Sequence, residues 1–150
     1  EGNVLTAARR EGMLEERTRL GLPAREEWII RGDFSLESGS EAAQRILAME
    51  HRPTSVFCAA DMVAFGLMAG LAAGGLKVPE DISVVGFDDI DMSDYYVPAL
   101  TTIRQDRHRL GREAARVLRR RLGPRPARGE AGDMVEVDLV VRDSTAPPSP

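Results

Sequence analysis

The chain has 150 residues, of which 43% are hydrophobic and 29% charged, and its formal net charge is −4. A chain of this size can bury a core without disulfides, and its single cysteine, Cys58, excludes an internal one and is typical of a reducing compartment. The negative charge argues against nucleic-acid binding by the chain as a whole. No apolar run approaches the ~18 residues that span a bilayer.

Helices and short apolar strands alternate along the first part of the chain. The predicted elements are a helix over 4–20, a β-branched strand at 28–32, a helix over 39–49 that starts at Ser38 or Ser40, a strand at 55–60, a helix from Asp61 to Gly75 and a strand at 82–87. Continuous apolar strands that alternate with helices predict a parallel sheet covered by helices on both faces, in an α/β fold.

The remaining sequence predicts a strand at 101–105, a basic helix over 107–122, a Gly/Pro-rich connector at 123–133, one or two strands at 134–144 and a disordered Pro-rich tail. Between Arg104 and Arg128 there are ten arginines and two acids. The arginines lie opposite an apolar stripe, and no aromatic residue is interleaved for base stacking. A solvated helix face is therefore favoured over a nucleic-acid patch.

Polar residues follow the predicted strands where ligands bind in open α/β sheets. Asp33, Asp61 and Asp88 each follow a strand, and Arg9 of the first helix could face the same edge. Asp61 also precedes a helix, so it either caps that helix or contacts a ligand. Phe34 either packs in the core or stacks on a flat or sugar-like ligand.

Four acids cluster after the strand at 82–87: Asp88, Asp89, Asp91 and Asp94. Their spacing lacks the pattern of a calcium loop, and neither histidine is near them in the sequence, so no metal site is expected. Phosphate-binding glycine motifs and a nucleophile elbow are also absent from the sequence. We therefore expect a protein that is not an enzyme and has no cofactor. Asp91 and Asp94 are interpreted as turn or cap residues, and Asp88 as a ligand acceptor.

One stretch carries a family pattern. Residues 53–106, PTSVFCAADMVAFGLMAGLAAGGLKVPEDISVVGFDDIDMSDYYVPALTTIRQD, closely resemble the effector-binding region of the LacI/GalR (lac-repressor-like) bacterial transcription regulators. AARREGM and GDFSLESGSEAA upstream, and VVRDSTAPP downstream, also match that family. The resemblance covers nearly the whole chain.

The resemblance implies a periplasmic-binding-protein-like type I fold with two lobes and an effector held between them. Residues 1–101 and 132–145 would form a three-layer parallel-sheet C-terminal lobe. Residues 102–131 would cross the hinge and supply a strand and the basic helix to an incomplete N-terminal lobe, and 146–150 would be a disordered tail.

The same resemblance suggests the ligand-binding residues. Arg9 matches an arginine that hydrogen-bonds effector oxygens, Phe34 an aromatic that stacks on the ligand, and Asp88 the acceptor of ligand hydroxyls or amines. Asp61 matches the aspartate of an Asn-Asp pair. Ala60 departs from the pattern, because many members have a ligand-contacting asparagine at that position.

The function implied is that of a cytoplasmic repressor domain. A sugar-like or nucleobase-like effector would shift the closure of the lobes in a homodimer and thereby control operator DNA binding by a helix-turn-helix headpiece that this sequence lacks. Helix 61–74 and segment 95–98 are the candidate dimer interface. An exported solute-binding protein of the same fold is one alternative, and a phospho-acceptor receiver domain with Asp61 as acceptor is another.

Overall fold

The computed structural model describes residues 4–23, 25–122 and 135–148. Its regular elements are α1 (Val4–Arg19), a 3-10 helix (Glu26–Trp28), α2 (Leu36–Leu47), β1 (Ser55–Phe57), α3 (Asp61–Ala73), β2 (Ser83–Asp88), α4 (Met92–Tyr95), β3 (Thr101–Gln105), α5 (Arg107–Leu122) and β4 (Val137–Val140). Within these ranges no helix is long and apolar enough to cross a membrane.

The strands form one sheet in the order β1-β2-β3-β4. β1 pairs with β2 and β2 with β3, both in parallel, whereas β4 is antiparallel to β3. The α/β prediction with a parallel-dominated sheet is thus confirmed. The proposed boundaries of the two lobes stay a prediction. The paired carboxyl ends of β2 and β3, where Asp88 is opposite Arg104, form the edge that carries the polar residues.

Close packing of α2 against α3 builds one side of the core. Three glycines make the approach possible, because a Cβ on any of them would collide with the facing helix: Gly39, Gly66 and Gly70. The core itself is apolar and centres on the fully buried side chains of Ile46, Leu67, Leu71, Ile82, Val84 and Leu100. Helix α3 also packs against β2, which lies between β1 and β3 in the sheet and ends at Asp88.

The predicted strand at 28–32 is wrong. Trp28 ends the 3-10 helix, and residues 29–32 that follow it have no regular structure. A strand needs a neighbour that takes its backbone hydrogen bonds, and in the part of the chain described here β1 pairs only with β2 and no strand lies beside 28–32. β1 itself ends at Phe57, three residues before the predicted end.

The predicted start of α2 is also wrong. The helix begins at Leu36, and its cap is Ser35, whose hydroxyl accepts a hydrogen bond from the Ser38 backbone N–H at 3.0 Å. Ser38 and Ser40 lie inside the helix. Several serines close together cannot be ranked as caps from the sequence, because the choice depends on which hydroxyl meets a free N–H.

In the last third β3 and α5 are confirmed, whereas among the described residues of the predicted strand region 134–144 only Val137–Val140 forms a strand. β3 and α5 have the predicted bounds, and α5 has no buried residue, with Leu110, Leu118 and Leu122 exposed. The predicted connector at 123–133 lies outside the described residues. After β4, Ala146 exchanges two hydrogen bonds of 3.0 Å with the Ser83 hydroxyl, so the tail is anchored at its first residue.

Candidate effector-binding site

The site centres on the turn at the end of β2. Asp88 and Asp89 both have positive φ angles, 118° and 49°, which side-chain-bearing residues rarely adopt. The turn swings the Asp88 carboxylate along the sheet edge, where its Oδ1 accepts a hydrogen bond of 2.8 Å from Gln105 Nε2 at the end of β3. Asp88 is half-buried, so it keeps an accessible acceptor next to this bond.

Arg9 reaches the same edge from α1. Its guanidinium lies 3.6 Å above the centre of the Phe87 ring, and Nη1 donates to the Ala59 carbonyl oxygen at 2.6 Å. Stacking on a ring and a carbonyl fixes the plane of the guanidinium and leaves other N–H donors free to point elsewhere. Arg9 thus supplies an oriented donor beside the Asp88 acceptor.

The electrostatics of Asp88 reflect its mixed surroundings. Burial raises the pKa of Asp88, the charge of Asp61 adds to that increase, and the nearby Arg9, Gln105 and Arg107 oppose it. The net effect is a pKa above the ordinary value of 3.8. A carboxylate that is partly desolvated gains more from a ligand donor than one in water, because the donor replaces hydration already lost.

Asp61 lies behind this surface. It is 1% exposed, and its oxygens accept hydrogen bonds from Thr102 Oγ1 at 2.5 Å and from Ile90 N and Ser93 Oγ at 2.9 Å. The position that caps α3 is Ala60, so the predicted capping role of Asp61 is incorrect. Its buried carboxylate instead joins α3 to β3 and to the chain after Asp89, and it has almost no surface left for a ligand.

Phe34 is 43% exposed on the loop before α2, so its ring is not in the core. The loop is shaped by Asp33, whose Oδ1 accepts from Ser35 N at 2.9 Å and whose carbonyl accepts from Ser38 Oγ at 2.8 Å. Asp33 therefore acts in the turn. The structure brings Arg9 and Asp88 together, and it leaves Phe34 available on its own loop.

A network of ion pairs surrounds Asp89. One of its carboxylate oxygens accepts from Arg142 Nη2 at 2.8 Å, and the other from Arg104 Nε at 2.5 Å. Burial alone would raise the pKa of Asp89, but the hydrogen bonds from Arg104 and Arg142 outweigh it and hold the pKa below its ordinary value. Arg142 also donates to Asp94 Oδ1 at 2.6 Å and to the Leu100 carbonyl at 2.8 Å.

The roles of Gln105 and Arg142 at this turn could not be predicted from the sequence. Gln105 is one polar residue at a strand end, and Arg142 is one of many arginines; only the fold shows that both reach the Asp88–Asp89 turn. The four acids divide accordingly: Asp88 faces the edge, Asp89 and Asp94 are paired with Arg142, and Asp91 stands at the start of α4 without a side-chain cap bond. No group of three metal-ligand side chains occurs among the residues that the structure describes.

The comparisons with known proteins agree with this architecture. A family model described as the periplasmic binding protein-like domain matches residues 1–145. The HTH-type transcriptional repressor PurR of Erwinia tasmaniensis is 42% identical over 140 residues, which are 92% of this chain and 40% of the repressor. This chain thus spans less than half of that relative.

Solved structures of LacI family regulators also resemble this chain. A LacI family transcriptional regulator from Mycobacterium smegmatis superposes with a TM-score of 0.81 at 34% identity, over 94% of this chain and 52% of that one. A LacI family regulator from Enterococcus faecium with bound ribose has a TM-score of 0.70 at 36% identity, over 80% of this chain and 44% of that one.

Fold and site together define a ligand-binding domain of the periplasmic-binding-protein-like class. Within that class, the relatives reported above are a transcriptional repressor and LacI family regulators. The chain belongs to the LacI/GalR family, as part of its effector-binding domain.

Proposed function

We propose that this chain forms the C-terminal part of the effector-binding and dimerisation domain of a LacI-type transcriptional repressor. The observation that carries the proposal is the pairing of an accessible acceptor, Asp88, with an oriented cation, Arg9, at the carboxyl edge of the sheet. A charged acceptor beside a fork-shaped donor can orient a ligand that has both hydroxyl or amine donors and oxygen acceptors.

The effector class that fits is sugar-like or nucleobase-like. Asp88 and Arg9 would bind its polar edge, and Phe34 would stack on its flat face. Asp61 would act from behind by holding the chain that follows Asp89. The ribose-bound regulator supports a small-molecule effector, and the PurR relatives support a role in transcriptional repression.

The mechanism would be a shift between closure states. Residues 1–101 and 132–145 would form one lobe, and 102–131 would contribute to the second. An effector that bridges the lobes stabilises one relative orientation by its differential affinity for that state. A homodimer would pass the change to helix-turn-helix headpieces on operator DNA in the cytoplasm. This role requires no catalysis.

Replacing Asp88 tests the site. Calorimetric titration of the full-length protein with a panel of sugars and nucleobases should identify the effector, and Asp88→Asn should weaken its binding at least tenfold, about 1.4 kcal/mol. The matched control is Asp91→Asn in the same loop, which removes one charge from an exposed side chain and should change affinity less than twofold. Unchanged binding in Asp88→Asn would contradict the proposed site.

A further inference from the structure

The turn that presents Asp88 is held from several directions. Two consecutive non-glycine residues with positive φ form a backbone conformation that persists only where its surroundings enforce it. On one side Asp61 accepts from the Ile90 N–H. On the other side the carboxylate of Asp89 accepts hydrogen bonds from Arg104 and Arg142. The ion pair with Arg142 is distant in sequence and joins the turn to the segment after β4.

The two arginines are not equivalent. The Arg104 side chain is 52% exposed, so its ion pair is screened by solvent. The Arg142 side chain is 11% exposed, and its guanidinium is fixed by Asp94 and by the Leu100 carbonyl as well as by Asp89. Several acceptors at fixed positions hold the planar guanidinium of Arg142 in one orientation. The carboxylate of Asp89 is bound to this guanidinium.

We infer that Arg142 is a positioning residue for the effector site: by binding Asp89 it holds the backbone of the turn so that Asp88 faces the ligand. This inference rests on the proposed function of Asp88. Arg142 itself does not have to touch the ligand, because its guanidinium donors already bind three protein acceptors. Two of these acceptors, Asp94 and Leu100, lie outside the Asp88–Asp89 turn, so replacing Asp94 tests whether loss of any Arg142 contact has the same effect as loss of the contact with Asp89.

The first test needs no ligand. Hydrogen exchange of the full-length protein should show at least tenfold faster exchange of the Asp89 and Ile90 amides in Arg142→Met and in Asp89→Asn. Asparagine tolerates positive φ as well as aspartate does, so Asp89→Asn removes the charge without adding backbone strain. Asp94→Asn is the control: it removes the other carboxylate bound to Arg142 and should change these amides less than threefold. Amides of α3 report global opening and should not change.

The second test uses binding of D-ribose and of adenine, measured by calorimetry. For whichever probe binds, Arg142→Met should weaken binding about tenfold and Asp94→Asn less than threefold. Arg142→Lys, which keeps the charge but not the fork, should be intermediate. The double variant Arg142→Met/Asp89→Asn should be no more than twofold weaker than the weaker-binding single variant, because both changes break the Arg142–Asp89 ion pair.

The outcomes separate the two proposals. If Asp88→Asn leaves probe binding unchanged, the proposed site is wrong. If Asp88→Asn abolishes binding and Arg142→Met does not weaken it, only the positioning role is wrong. Equal effects of Arg142→Met and Asp94→Asn on the turn amides would also overturn the positioning role, since they would show a stabilising residue without preference for the turn. If neither probe binds, the exchange experiment alone decides.

Discussion

Asp88 combines two properties that set a pH dependence. Its pKa is raised chiefly by burial, and its proposed ligand contact requires the ionised form. Affinity should therefore be constant near neutral pH and fall about tenfold per pH unit once the pH drops below the pKa of Asp88, which lies above the ordinary 3.8. Titration calorimetry between pH 4 and about pH 8 measures this.

The same titration affects folding with a defined sign. Because the folded state holds the Asp88 proton more tightly than the unfolded state, ionisation of this group opposes folding, and its cost appears as the pH rises through the raised pKa. Asp88→Asn should remove both the pH dependence of affinity and this cost. A pH profile of affinity that is the same in Asp88→Asn and in the parent protein would show that another group titrates.

Asp61 is expected to matter for stability. Asp61→Ala leaves the Ile90 N–H without its acceptor and deprives the Ser93 and Thr102 hydroxyls of theirs, which should lower the free energy of unfolding by about 3 kcal/mol. The control is Asp81→Ala, an exposed aspartate with one bond to the Lys77 N–H, which should cost about 1 kcal/mol. Urea denaturation compares them; equal losses would show that the buried network contributes little.

Sequence reasoning at this scale works where chemistry depends on position along a strand. A charged residue at the end of an apolar strand emerges at the sheet edge, and the structure places Asp88 there, at the end of β2; its contact with a ligand stays a prediction. Asp61 occupies an equivalent sequence position, yet its side chain turns inward because Thr102 and Ser93, far along the chain, offer it hydroxyl groups. Contacts of that kind depend on the fold and leave no local pattern.

At the scale of elements, α2 and α3 pack closely against each other, backbone to backbone. A methyl group on Gly66 would collide with the Leu36 carbonyl oxygen, and backbone cannot move aside as a flexible side chain can. Gly66→Ala should therefore lower the free energy of unfolding by about 1–3 kcal/mol. Gly111→Ala on α5 is the matched control, since no atom lies within 4 Å of the added methyl group; it should stabilise by about 0.5–1 kcal/mol. Thermal unfolding distinguishes the two, and a gain from Gly66→Ala would contradict the contact.

Local signals predict most elements but not their pairing. Helix α5 and strand β3 are predicted from periodicity and β-branched content with correct bounds, and β3 has the neighbours that a strand needs, β2 and β4. The stretch 28–32 has the composition of a strand and lacks a partner among the described strands, so its composition alone does not make it one. Likewise the cap of α2 depends on geometry around Ser35 that neighbouring serines imitate in sequence.

At the scale of the whole molecule, the exposed apolar residues around α4 are the proposed dimer contact. Tyr95 is 82% exposed and Val97 90%, which is unfavourable for a lone chain in water. The contribution of α3 to that contact is limited, since most of its apolar residues already face α2 and the sheet. The interface over 61–74 and 95–98 stays a prediction, and of its two segments we expect 95–98 to contribute more of the contact.

If the full-length protein forms the proposed dimer, Val97→Asp should turn it into a monomer in sedimentation experiments, because two copies would bring aspartates together in a self-complementary contact. Leu22→Asp, at an exposed leucine outside this segment, is the control and should remain dimeric. A Val97→Asp protein that sediments as a dimer would place the interface elsewhere.

The contacts of Arg142 also bear on the order in which the chain can assemble during synthesis. Translation runs from the N-terminus, so Asp88 and Asp89 are made before Arg142, whose guanidinium binds Asp89. Ser144 is made later still, and its fully buried hydroxyl accepts from the Thr101 N–H and donates to the Val84 carbonyl. A chain that ended between β3 and β4 would therefore lack hydrogen bonds of β2 and β3 as well as the ion pair at the turn.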